Sequence, residues 1–407
     1  MKGFFNKKET ESVSSVGGKI HSCASCGLYK NCITPKMKPW GRFEKGIMLI
    51  GEGPDQTEDE RGRPWQGKAG RMLQRTLRNK GIDMEKDCVS LNAVNCRPPN
   101  NRSPKPDEIN HCRSVVVWKA LQEYQPKVVL LFGGSALNSV VGYQWGATDA
   151  ITKWRGFCIP DQELKTWLCP VYHPSYLQRM ESPDDYVNIW NKDIERSLSK
   201  LDTKFPKQKK PQIEIVKDLS FLDDLQEGLY AFDYETTGIK PHGKGHRIRA
   251  AAIANSENHC WAFLMPKKKE RRWSFRRWLG RRPCGKMAHN MKYEDTWSKN
   301  ILKQEVKGWE WDSMLAAHII NNRPGITSLK FQMYVNFGLQ DWSKEVEPYF
   351  NTNTDKEGAN AINRIDELLA TKSGKKTLLE YVGLDAVYQY RLALKQQNEL
   401  NWDFLPF

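Results

Sequence analysis

The sequence predicts two α/β domains in tandem, and three observations carry that expectation. Residues 19–200 alternate strand-like apolar runs with helix-like amphipathic ones. DTKFPKQKKPQIE (202–214) holds prolines and lysines with little to bury, the composition of a linker. Beyond it, LYAFDYE (229–235) reads as a buried strand that runs out into its own acids, and LLEYVGLDAVYQYRLAL (378–394) reads as a long helix.

In the first half, KGIMLIGEG (45–53) and PKVVLLFGG (126–134) read as buried strands that end in glycine turns. Each precedes a helical segment, RMLQRTLRNKG (71–81) and ALNSVV (136–141), which is the pattern of a parallel sheet. Residues 1–18 are polar and read as a flexible leader before a domain at 19–201. The second domain then spans 215–400. NWDFLPF (401–407) reads either as a packed helix end or as a short docking tail.

Lys and Arg total 63 against 48 Asp and Glu, a net charge of +15 that favours a polyanionic partner. No apolar run approaches the ~20 residues of a membrane span, and MKGFFNKKETESVSS lacks the apolar core of a signal peptide. The expectation is a cytoplasmic protein whose ten cysteines are metal ligands or core thiols rather than disulfides. MPKKKERRWSFRRWLGRRP (265–283) interleaves cations with three aromatics. It reads as a solvated helix face or as a patch that tracks phosphates and stacks on bases.

Three strings carry chemistry in the second half: AFDYETTG (231–238), AHNMKYED (288–295) and YVGLD (381–385). They supply Asp233, Glu235, Asp295 and Asp385, with Tyr381 one helical turn from Asp385. Carboxylates gathered this way repel unless cations sit among them, and hard divalent ions prefer oxygen ligands. Two such ions can activate water against a phosphodiester. In order and spacing the strings resemble the DEDD 3′–5′ exonucleases with tyrosine in the third motif, above all the proofreading domain of family A DNA polymerases. The resemblance spans about 212–400 and includes WEWDSMLAAHIINN (309–322). It implies a ribonuclease H-like fold and two Mg2+ or Mn2+ held by Asp233, Glu235 and Asp385. Asp295 would complete the site, and Tyr381 would orient the attacking water.

In the first half CASC supplies Cys23 and Cys26, NCRPP supplies Cys96, and HCRS supplies Cys112, with Cys32 close by. The CxxC pair alone fits zinc, a redox pair or chance. Cys88, Cys158, Cys169, Cys260 and Cys284 have no partner at ligand spacing and read as core or incidental thiols. The strings GEGPDQTEDERGRPWQGKAGRMLQ (51–74), LNAVNCRPP (91–99) and YHPSYLQR (172–179) resemble the family 4 uracil-DNA glycosylases. That resemblance implies a [4Fe–4S] cluster on Cys23, Cys26, Cys96 and Cys112. It also implies a uracil pocket, with Trp65 stacking on the base, Asn92 reading its edge, His173 donating to O2, and Glu52 and Glu58 as the acids. Three positions depart from the family: Asp55 stands where glycine is usual, Trp65 where phenylalanine is, and Gln66 where a small apolar residue is. A glycine at 55 would permit a positive φ, whereas aspartate brings bulk and charge toward the pocket.

The two resemblances together imply DNA as partner, in replication or repair. Some viral family A polymerases resemble this order, glycosylase-like domain then exonuclease then polymerase. That implies a separate polymerase chain as partner and a sliding clamp as a candidate for the tail. The alternative is a scaffold or processivity subunit whose first domain grips DNA without cutting a base.

Overall fold

The computed structural model describes residues 13–16, 19–145, 148, 150–180, 183–350 and 361–402. The chain divides into two compact units: Met1–Lys207 with Tyr334–Gln340, and Gln208–Met333 with Asp341–Phe407. No helix among the described residues is long and apolar enough to cross a membrane. Each unit is built on one main sheet with helices packed on it, so the expected α/β class holds for both.

The first unit opens with a hairpin, β1 (Val13–Val16) antiparallel to β2 (Lys19–Ser22). Regular structure therefore begins inside the stretch expected to be a leader, because 13–16 pairs with 19–22; residues 1–12 lie outside the described ones. The main sheet comprises β3 (Ile47–Gly51), β4 (Cys88–Asn92), β5 (Val128–Phe132), β6 (Ile159–Asp161) and β7 (Thr166–Val171), in the order β4-β3-β5-β7-β6. Four strands run parallel and only β6 is antiparallel, on an edge. Every residue of β3, β4 and β5 is buried, as a parallel sheet covered on both faces requires. The strands deliver Gly51, Asn92 and Phe132 to one end of the sheet, where ligands of open α/β sheets bind.

The second unit holds β8 (Gln212–Ile215), β9 (Gly228–Thr236), β10 (Ile248–Ser256), β11 (His259–Leu264), β12 (Cys284–Ala288) and β13 (Trp309–Asp312), ordered β13-β12-β9-β10-β11-β8. β10 is antiparallel to both its neighbours, and the other pairings are parallel. The linker expected to reach 214 ends earlier. Gln212 already pairs with His259, and QIEI is mostly exposed because it forms the sheet edge. Period-2 alternation divides β9 cleanly. Tyr230, Phe232 and Tyr234 join the core that also contains Phe275 and Trp278 of the helix Trp273–Gly280, while Asp233 and Glu235 face the other way. Two of the three aromatics in the basic stretch are therefore core. Only Trp273 is exposed, with the Arg276 guanidinium 5.5 Å from its ring centroid.

The helix Lys372–Leu400 lies against β9 and β10. Gln389 donates to the Phe232 carbonyl at 2.7 Å, which fixes the helix's rotation and brings Tyr381 and Asp385 toward the acids of β9. The helix ends at Asn401 in the left-handed conformation, and Trp402 is exposed. The remainder of the expected docking tail, 403–407, lies outside the described residues.

Candidate functional sites

In the second unit Asp233, Glu235 and Asp385 bring one ligand atom each to within 4.8 Å of one another. Among the described residues no other group of three acids, histidines or cysteines does so. Glu235 and Asp385 are buried and Asp233 is half-buried. Burial pushes all three carboxyls above the ordinary range, Asp385 to about 6, and mutual repulsion adds to it at Asp233 and Glu235. Trp342 donates its indole N–H to Asp385 Oδ1 at 2.8 Å. The Lys330 ammonium stands 5.8 Å from the Tyr381 ring centroid, and its charge opposes the upward shifts of Glu235 and Asp385. Burial, then the charge of Asp385, keeps the Tyr381 phenol protonated.

Asp295 does not join this group. It points outward into an ion pair with Lys299 at 2.7 Å, one turn along the helix. Its neighbour Glu294 takes the inward position: it is 2% exposed, and its Oε2 has no hydrogen-bond partner. Burial, then repulsion from Asp233, holds its carboxyl well above the usual range. The reason is helix phase. Glu294 shares a buried stripe with Trp297 and Ser298, while Asp295 falls on the side of Lys292 and Lys299. That stripe was a signal in the sequence that could have found Glu294.

In the first unit Glu52, Glu58, Trp65, Asn92 and His173 all line one cavity of about 410 Å³. Asn92, at the end of β4, is 4% exposed and its Nδ2 has no partner. Its backbone is gripped by Asn95, which accepts from Asn92 N–H at 3.1 Å and donates to the Asn92 carbonyl at 2.7 Å. The Ser175 N–H donates to His173 Nδ1 at 3.2 Å, which assigns the proton to Nε2. Burial lowers the His173 pKa to about 4, so near neutrality the ring is an uncharged donor. Trp65 is 3% exposed, with its ring centroid 5.4 Å from that of His173 at an interplanar angle of 23°. Glu52 accepts from Ser103 and Ser135 at 3.3 and 3.2 Å.

The aspartate at 55 does not sit at positive φ; its φ is −83°. It caps the helix Gln56–Arg61 in a capping box: Oδ1 accepts from Glu58 N–H at 2.8 Å, and Glu58 Oε2 accepts from Asp55 N–H at 3.0 Å. Glu58 Oε1 also accepts from Gln66 N–H at 3.2 Å, and burial raises the Glu58 pKa to about 7. Gly67 is the glycine this arrangement demands, since a Cβ there would lie 2.5 Å from Asp55 Oδ2.

Cys23, Cys26, Cys96 and Cys112 line a small cavity of about 20 Å³, and Cys32 is not among its lining residues. Lys36 N–H points at Cys96 Sγ at 3.2 Å and Asn95 N–H at Cys112 Sγ at 3.3 Å. Such N–H···S bonds suit sulfurs that carry ligand charge. Cys32 Sγ instead donates to the Tyr29 carbonyl at 3.7 Å.

Residues 39–194 match the model of the uracil DNA glycosylase superfamily. A type-4 uracil-DNA glycosylase of Thermotoga maritima is 36% identical over 194 residues, covering 46% of this chain and 94% of the relative. The chain belongs to the type-4 uracil-DNA glycosylases. It is also similar to a DNA polymerase of Bacillus phage SP01, 23% identical over 326 residues, covering 70% of this chain and 34% of the polymerase. That match is longer than either unit, so this type-4 family member shares parts of both with the polymerase. Among solved structures, Brucella melitensis NrnC covers 47% of this chain and 82% of its own, at 15% identity and a TM-score of 0.33.

Proposed function

We propose that the chain is a metal-dependent 3′–5′ exodeoxyribonuclease joined to a uracil-DNA glycosylase-like, DNA-binding half, and that it works with a DNA polymerase in replication or repair. The observation that carries this reading is the trio of Asp233, Glu235 and Asp385, two buried and one half-buried, with ligand atoms within 4.8 Å. Three raised carboxyls and the unpartnered Oε2 of Glu294 form an all-oxygen donor set that fits hard divalent cations. Two Mg2+ or Mn2+ ions bound there would supply an activated water and charge stabilisation at the phosphodiester. Asp233, Glu235 and Asp385 would hold them, with Glu294 in the place first assigned to Asp295. Tyr381, one helical turn from Asp385, presents a protonated hydroxyl to orient the attacking water. Trp342 keeps Asp385 in its rotamer. The SP01 likeness supports the polymerase association.

In the first half Cys23, Cys26, Cys96 and Cys112 are the proposed ligands of a [4Fe–4S] cluster, supported by the cavity among them and the N–H groups aimed at Cys96 and Cys112. Asn92 and His173 offer a free amide and a neutral N–H donor to a flipped-out uracil. A second reading, in which the pocket holds DNA without excising a base, is favoured by the Trp65 ring lying against His173.

The test uses the full-length Asp233→Ala/Glu235→Ala variant, purified without oxygen, on a uracil-containing single strand. The wild type digests the strand from its 3′ end with Mn2+ and the variant does not; digestion that persists in the variant removes the assignment of these acids. Alkali-labile sites left by the variant with its iron–sulfur cluster loaded establish excision. Their absence, with the strand still bound, establishes the second reading.

A further inference from the structure

The helix Lys68–Arg78 forms a wall of the base pocket at one end, through Ala69 and Gly70 with the preceding Gly67. Along the rest of its length it lines a second, open groove of about 770 Å³. Lys68, Arg71, Arg75 and Lys80 line that groove with Gln178 and Asn191, and no acid lines it. The two cavities adjoin at the neighbours Gln178 and Arg179, the first in the groove and the second in the pocket.

Lys68, Arg71, Arg75 and Arg78 follow a three-four-three spacing, so they form one stripe about 15 Å long at 1.5 Å per residue. All four are exposed. Among the described residues none of the four has an ion pair. The Arg71 guanidinium reaches only the Gln66 carbonyl at 3.4 Å, and of the groove's cations Lys80 alone is paired, with Glu195 at 3.1 Å. Like charges at this spacing destabilise an isolated helix. The opposite face of the helix is packed through Gly70, Leu73 and Leu77, so the stripe cannot rotate away. A row of uncompensated cations beside a polar groove, leading out of a base pocket, matches a polyanion with evenly spaced charges.

We propose that this groove is a backbone-binding track, in which Lys68, Arg71 and Arg75 contact successive phosphates of the DNA strand whose base enters the adjoining pocket. The inference rests on the reading of the first unit as DNA-binding. Gln178 and Asn191 supply neutral hydrogen bonds beside the charged row. The track positions the strand and reads no sequence.

The test is fluorescence anisotropy with a 5′-labelled single strand carrying one central uracil, in the full-length Asp233→Ala/Glu235→Ala background so that the strand survives. Arg71→Gln/Arg75→Gln is compared with its parent from 0.05 to 0.4 M salt. Removing two phosphate contacts lowers the slope of log K against log salt by about 1.4, and binding at 0.1 M salt weakens about 25-fold. The loss is the same with thymine in place of uracil, and Arg71→Lys/Arg75→Lys restores the slope. Unchanged slope and affinity in a folded variant, with the parent binding normally, overturn the track and leave the row for an acidic protein surface. A parent that binds no strand at all overturns the DNA reading as well. If the double variant fails to fold, Lys68→Gln alone must lower the slope by about 0.7, and an unchanged slope there overturns the track equally.

Discussion

Replacing Glu294 and Asp295 in turn separates two adjacent acids to which the structure gives opposite surroundings. Asp295 is bound to Lys299 on a solvated helix face, where screening leaves an ion pair little effect on stability. Asp295→Asn should therefore shift the melting temperature by less than about 2 °C and leave digestion intact. Glu294 is buried, repelled by Asp233 and unpartnered at Oε2. A buried acceptor left without a partner costs about 1–3 kcal/mol, more when charged. Glutamine keeps a polar group there but removes the charge, so metal-free Glu294→Gln should be more stable than the wild type at neutral pH by about 1 kcal/mol or more, a few degrees in melting temperature. The sign follows from the raised carboxyl. Its penalty is absent below the ordinary glutamate pKa and grows as pH rises, so the advantage of the variant should vanish near pH 4. Manganese should reverse the order, because ligand binding stabilises only the chain that holds it. Digestion by Glu294→Gln should fall at least about 100-fold, the upper end for losing even an outer partner of a metal ligand. Thermal melts with and without MnCl2, beside digestion of a 5′-labelled strand, read all of this. Loss of digestion in Asp295→Asn, with Glu294→Gln still active and still stabilised by manganese, would refute the reasoning.

Two further outcomes follow from single contacts. Trp342→Phe keeps a ring but removes the N–H held 2.8 Å from Asp385, so calorimetric Mn2+ affinity should drop about tenfold while the rate at saturating metal stays within about twofold. His173, depressed by burial to about 4 from an ordinary 6.5, contributes stability that is present above pH 6.5 and lost as pH falls toward 4, about 3 kcal/mol in all. Urea unfolding of the wild type and His173→Asn at pH 7.5, 6 and 5 should show the variant losing less, and parallel curves would remove that role.

The first sheet and the strand β9 of the second were legible in the sequence because their strands announce themselves: IMLI and VVLLF are buried along their whole length, and AFDYE alternates core and acid. The edge strand Gln212–Ile215 was not, because an exposed edge needs no apolar pattern; its pairing with β11 is a property of the partner strand. The motif resemblance named the acid trio, and spacing adds that Asp233 and Glu235 share a strand face and Tyr381 and Asp385 a helix face. It failed at Tyr-Glu-Asp, where two acids are adjacent and a helix turns each about 100° from the next. There only the burial stripe through Trp297 and Ser298 distinguishes them.

The departures of the first half from its family look different once their partners are known. Charge at position 55 suggested an obstruction of the pocket, yet the Asp55 carboxylate is committed to the Glu58 N–H of a capping box and is accommodated by the bare backbone of Gly67. The same box and the Gln66 N–H hold Glu58, whose carboxyl burial raises to about 7. Trp65 is the departure that stands in the pocket wall itself, with its ring against the face of His173. Asn95 then joins the two halves of the proposed chemistry. Its side chain fixes the Asn92 backbone, while its N–H and Nδ2 reach Cys112 Sγ at 3.3 and 3.5 Å. Disturbing the cysteine would thus disturb the residue that faces the base, and a cluster at that site would act on the pocket by holding Asn92 in place.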